Sequence, residues 1–155
     1  MKKLVAILMA LAALFMLAGC GQKNNGEANL TQTPSEILEK MYEGFGEDEL
    51  PVLANKELID EELEYNLGLT ELDYKEGMIS EPMMGSIAHS VVVIRLNENA
   101  DVEKVVEDIK ANVNPRKWVC VEAEKVIVES KGDVVVLIMS NNDTATKMIE
   151  NFRKL

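Results

Sequence analysis

The chain has 155 residues, with 27 acidic side chains against 16 basic ones and a formal net charge of −11 at pH 7. That length holds one small domain whose core is large enough to fold without disulfide or metal staples. The acidic excess argues against nucleic-acid binding, which needs a basic face for the phosphates.

The first nineteen residues have the three zones of an export signal: a basic start at Lys2 and Lys3, an apolar run from Leu4 to Leu17, and the small pair Ala18-Gly19. The run is short for a bilayer crossing. Leu17-Ala18-Gly19-Cys20 reads as a lipobox, and with its leader it resembles bacterial lipoprotein precursors. The resemblance implies transfer of a diacylglyceryl group (a palmitate-type anchor) to the Cys20 sulfur and cleavage before it, so that residues 1–19 are removed. The chain is then expected to be lipid-anchored on the extracytoplasmic face of the cell membrane. Two acyl chains make a stable anchor, because each buried methylene contributes about 0.8 kcal/mol and a single chain binds only reversibly. Loss of Lys2 and Lys3 leaves 14 basic residues against the same 27 acidic ones, a net charge of −13. Such a domain is repelled by anionic headgroups. Once Cys20 is lipidated, Cys120 has no partner for an internal disulfide, and its place between Val119 and Val121 predicts a buried, inert thiol.

Residues 20–33 comprise Cys20 and the polar, glycine-containing stretch Gly21 to Thr33, read as a flexible tether reaching about 20 Å. A single domain is expected over 34–155. Thr33-Pro34-Ser35-Glu36 is a capping box with proline at the first helical position, and Ile37, Leu38, Met41, Tyr42 and Phe45 repeat at helical spacing, predicting an amphipathic helix over 34–45. Asp60-Glu61-Glu62 predicts the acidic first turn of a short helix through Tyr65. Leu67 to Tyr74 reads as extended or irregular, and Pro82 and Gly85 mark 74–85 as a connection.

Ser86 to Leu96 is rich in β-formers. Ser90, Val92, Ile94 and Leu96 fall on one side, and His89, Val91, Val93 and Arg95 on the other, which is expected to be wetter. Asp101 is placed to cap a helix carrying Val102, Val105, Val106, Ile109 and Val113, which must stop before Pro115. Arg116 to Glu122 is ambiguous, with Trp118 expected on the core. Lys125 to Glu129 and Val134 to Met139 form a hairpin about Ser130-Lys131-Gly132-Asp133. Asn142 or Asp143 is expected to cap a last helix carrying Ala145, Met148, Ile149, Phe152 and Leu155.

Val134 to Met139 is apolar on both faces, as a central strand would be. The predicted fold class is therefore α+β: a three-stranded antiparallel sheet in the order 1-3-2, with a split β-α-β-β-α unit and the additional N-terminal helix. The last helix is expected beside the crossover helix, with helix 34–45 on the opposite face. Pro82-Met83-Met84 before Val91-Val92-Val93-Ile94, the helix Asp101 to Ile109, and Ala123 to Ser140 around Lys131-Gly132 resemble the small bacterial lipoproteins grouped as domain of unknown function 4358. That resemblance brings no activity and no site residues.

The sole histidine, His89, has no nucleophile on its own side of the strand, since Ser86 and Ser90 point the other way and neither sits in a nucleophile elbow. A structural histidine is the simpler reading. Met78, Met83 and Met84 supply three soft thioethers for Cu(I), or else fill a core gap or an adaptable contact surface. Asn97, Asn99, Asp101 and Asp108 have part of a Ca²⁺-loop spacing, but Val102 replaces the required glycine and Asp108 the bidentate glutamate. Asn141-Asn142-Asp143 belongs to the other end of the sheet, so the two loops cannot share a site. The sequence thus predicts a lipid-anchored, non-enzymatic binding or accessory domain for a protein partner or small ligand, with lipidation at Cys20, no catalytic or metal residues, no cofactor and no nucleic acid. The alternative is a small extracytoplasmic enzyme using His89 or Cys120, and a third reading is methionine-based copper binding.

Overall fold

The structure is a computed structural model that describes residues 29–46 and 48–155. The leader, the lipobox with Cys20 and most of the expected tether lie outside the described residues. The elements are helix α1 (Pro34–Met41), strand β1 (Leu53–Glu57), a 3₁₀ turn (Asp60–Glu62), helix α2 (Leu63–Leu67), strands β2 (Tyr74–Pro82) and β3 (Ser90–Leu96), helix α3 (Val102–Asn112), strands β4 (Lys125–Lys131) and β5 (Val134–Ser140), and helix α4 (Asn142–Arg153). All strands pair antiparallel in one sheet of order β1-β2-β3-β5-β4.

The α+β class and the sub-order β3-β5-β4 agree with the sequence reading, but the sheet has five strands, not three. The segment 74–85, expected as a connection, holds the nine-residue strand β2. Its side chains alternate poorly because Gly77 interrupts them, and that glycine has its own reason. A Cβ there would lie 3.0 Å from the Leu58 side chain, and Leu58 N–H donates to Gly77 O at 3.0 Å. β1 is a short, largely exposed edge strand with almost no apolar signal. Both strands are held by backbone pairing, which the side-chain pattern does not report.

The sheet divides two cores by side-chain parity. Val92, Ile94, Leu96, Val135, Leu137 and Met139 pack with α2, Leu58 and Val106 and Ile109 of α3. Val91, Val93, Val134, Val136 and Ile138 pack under α1 and under Ala145, Met148, Ile149 and Phe152 of α4. The last helix therefore lies beside α1, not beside the crossover helix. An eight-residue α1 is only about 12 Å long and cannot cover its face alone, whereas the other face is already filled by α2, α3 and Trp118. Asn151 fixes the pairing by donating to Met41 O at 3.2 Å and Glu43 O at 2.9 Å.

The caps explain the helix limits. Thr33 and Glu36 form the expected reciprocal box. Asn141, one residue earlier than expected, caps α4 by accepting from Thr144 N–H at 2.9 Å. Asp101 accepts from Lys104 N–H at 3.1 Å. Asp101→Ala is expected to lower stability by about 1 kcal/mol, read as a lower urea midpoint at unchanged slope; an unchanged midpoint would mean that the cap is idle.

The two ends of the sheet differ. At the end where β3 finishes, Arg95 is buried, not on a wetter face, because it donates to both Asp133 carboxylate oxygens at 2.7 Å and to Glu76 at 3.2 Å. It also donates to Gln32 O, so the chain enters the domain at this end. At the other end, the start of β3 meets the finish of β2 and β5, and the polar groups gather there.

Candidate functional site

Polar side chains line both faces of that second end. On the α1 face, His89 is 2 % exposed, which corrects the expectation of a wetter strand face. Its Nδ1 hydrogen-bonds with Ser140 Oγ at 3.0 Å and its Nε2 with the Tyr42 hydroxyl at 2.8 Å. Tyr42 also donates to Ser80 Oγ at 3.0 Å, and Ser80 and Ser140 are fully enclosed. The four residues come from the C-terminal cap of α1, from β2, from β5 and from the lead-in to β3, so the network joins the helix end to three adjacent strands. A neutral imidazole offers one donor and one acceptor, and hydroxyls on either side can play both roles. Burial pushes His89 down to about 4, against the attraction of Glu81, so the ring is neutral at physiological pH. Burial likewise pushes the Tyr42 hydroxyl far above its ordinary value.

On the α3 face, Lys117 points inward with its side chain 2 % exposed. Its Nζ lies 2.6 Å from Glu81 Oε1 and donates to Asn66 Oδ1 at 2.7 Å and Ser90 Oγ at 3.1 Å. The ammonium also sits 4.7 Å from the Tyr65 ring centroid and 5.5 Å from that of Trp118. Glu81 Oε1 is enclosed and makes no other polar contact, so Lys117 alone compensates it. Asn66 is held in turn by donating to Glu62 O at 3.1 Å. Burial lowers the ammonium's proton affinity and the Glu81 carboxylate opposes that shift.

A cleft of about 270 Å³ opens beside His89, with Leu50, Pro51, Ile87 and Val121 as apolar wall and Glu49, Glu122 and Glu124 as carboxylates. It brings His89 and carboxylates together but not Cys120. That thiol is exposed, correcting the expected burial, because the 113–124 segment is irregular and Cys120 occupies a left-handed turn at φ 62°. Met78 packs on the α1-side core, while Met83 and Met84 are exposed on the turn after β2, so the three thioethers do not share one pocket. Among the described residues, no group of three or more His, Cys, Asp or Glu side chains is placed to hold a metal ion. The partial Ca²⁺ loop is otherwise employed: Asn97 donates to Asp73, Asp101 caps α3, and Asp108 pairs with Lys104.

The sequence pattern singles out His89 but not its partners Tyr42, Ser80 and Ser140, nor the separate Lys117, Glu81 and Asn66 cluster on the α3 face. Tyr42 reads as part of the apolar stripe of α1, and Lys117 stands in an unpatterned segment, so neither carries a local signal. No helix of the described residues is long and apolar enough to cross a membrane.

Residues 48–117, from the loop before β1 to Lys117, match the family described as "Domain of unknown function (DUF4358)". The chain is similar to that family over β1, α2, β2, β3 and α3, and β4, β5 and α4 lie beyond the match. Neither curated proteins nor solved structures give a match.

Proposed function

We propose that the chain is a member of that family and a lipid-anchored extracytoplasmic binding module, held by a diacylglyceryl group on Cys20 and acting without catalysis. The observation that carries the binding reading is the internal use of the reactive side chains. Both nitrogens of His89 are taken by Tyr42 and Ser140, and the Lys117 ammonium is taken by Glu81, Asn66 and Ser90. A general base needs a free lone pair within reach of substrate, whereas these groups tie α1, α2 and the 113–124 segment to the strand ends.

The anchor reading is supported by the leader Met1 to Gly19 and the thiol that follows it. The described chain also enters at the Arg95 end of the sheet, opposite the end that holds His89 and Lys117. In cells fed labelled fatty acid, the parent chain is expected to carry label and Cys20→Ala none, with the variant remaining unprocessed or soluble. Label on Cys20→Ala would contradict the anchor.

A further inference from the structure

Four large apolar side chains are left in solvent at the end of the sheet opposite Arg95: Val52 at 75 %, Met83 at 73 %, Met84 at 62 % and Val119 at 74 % exposure. They belong to three different segments that the backbone stitches together. Met83 N–H donates to Val52 O at 3.1 Å, and Val119 N–H donates to Gly85 O at 3.4 Å. Single exposed apolar residues are ordinary, but several on adjoining loops make a patch of the kind that marks an interaction surface. Two of the four are methionines, whose unbranched side chains adapt to a partner's contour.

The cleft beside His89 adjoins these segments in the chain: its wall residue Pro51 precedes Val52, and Val121 follows Val119 by two residues. Glu49, Glu122 and Glu124 line that cleft. Glu124 accepts from Asn142 N–H at 3.1 Å at the start of α4, whereas Glu49 is paired with Lys147 at 3.2 Å and Glu122 with Arg116 at 3.4 Å; the four side chains of these two pairs are more than a third exposed, and such pairs are weak and exchange readily.

Charge selects the occupant. A second copy of this chain would bring the same carboxylates to the contact, and an anionic lipid surface would bring the same sign of charge, so both are repelled. The patch also lies at the opposite end of the sheet from Gln32, where the described chain enters the domain. From this placement we infer that the loop end formed by Val52, Met83, Met84 and Val119 docks a partner protein through a segment combining apolar and basic side chains. The apolar side chains cover the patch, and a lysine or arginine enters the acidic cleft. This rests on the reading of the chain as a binding module.

The test uses the full chain in discs of neutral phosphatidylcholine, titrated with a short labelled peptide alternating lysine and leucine and with its glutamate–leucine counterpart. The lysine peptide is expected to bind, the glutamate peptide not. The doubly substituted Met83→Asp/Val119→Asp chain is expected to lose about tenfold or more in affinity while keeping its melting temperature, because both positions are exposed. Equal binding by the substituted chain, or equal binding of the two peptides, would overturn the surface. So would patch-dependent self-association, or binding of phosphatidylglycerol vesicles in place of peptide. Fatty-acid label measured on the same preparations separates the two ideas: label retained without peptide binding defeats the docking surface alone.

Discussion

Replacing Lys117 by methionine is expected to cost about 3 kcal/mol of stability. Methionine keeps most of the side-chain volume, so the loss comes from charge and hydrogen bonding. The substitution leaves Glu81 Oε1 enclosed without its cation and strips Asn66 and Ser90 of their shared donor. Glu81 keeps 20 % exposure, which lets water reach one side of the carboxylate and places the cost at the low end for a broken buried pair. The proof that the pair matters is a double-mutant cycle. In a Glu81→Gln background the same Lys117→Met change should cost at least about 1 kcal/mol less. Additive costs would mean that the ammonium is held by its aromatic and neutral partners and not by Glu81.

The second large effect is on pH. Unfolded, the His89 imidazole protonates near 6.5, whereas burial holds the folded ring at about 4. Between those values the unfolded chain binds the additional proton, so stability falls as the pH falls through this window. Above it, both states are neutral and the full stability is present. The total loss on reaching pH 4 is about 3 kcal/mol. Carboxylates add their own loss near the bottom of the window, so the informative range is pH 7 to about 5. Urea midpoints over that range should slope downward for the parent chain and run nearly flat for His89→Gln, which cannot titrate. Parallel slopes in the two chains would show that the ring is solvated or already charged in the fold.

These two residues mark where sequence reading stops. The apolar run Val134 to Met139 has both faces dry, and that alone placed β5 between β3 and β4. Thr33 with Glu36, and Asp101 with Lys104, are local hydrogen bonds, and local spacing was enough to find them. β1 and β2 were not legible because Leu53-Ala54-Asn55-Lys56-Glu57 and a strand broken by Gly77 gain their order from neighbours distant in sequence. The side taken by α4 was not legible either, since its stripe of Ala145, Met148, Ile149 and Phe152 fits any apolar surface. Competition for space on the α3 face decides it.

For the candidate site, the split of β3 into Ser90, Val92, Ile94 on one side and His89, Val91, Val93 on the other was readable from period two, and both cores follow it. What each side met was not. His89 is buried because Tyr42 reaches it from a helix 47 residues earlier and Ser140 from a strand 51 residues later. Lys117 is buried because Asn66, Glu81 and Ser90 converge from three elements. Polar side chains recruited from such distances leave no spacing to recognise. Cys120 erred the other way: flanking valines read as core, yet Val119 is exposed and the thiol with it.

We propose that the loop end formed by Val52, Met83, Met84 and Val119 is the working surface of a membrane-anchored binding module. A photoreactive residue placed at Val119, irradiated in intact cells, tests it most directly, with Lys110 on the outer face of α3 as the matched exposed position. The expected result is a membrane-fraction adduct from Val119 whose crosslinked peptide carries basic and apolar residues, and none from Lys110. An adduct from Lys110 with none from Val119, or an adduct recovered away from the membrane, would contradict the account.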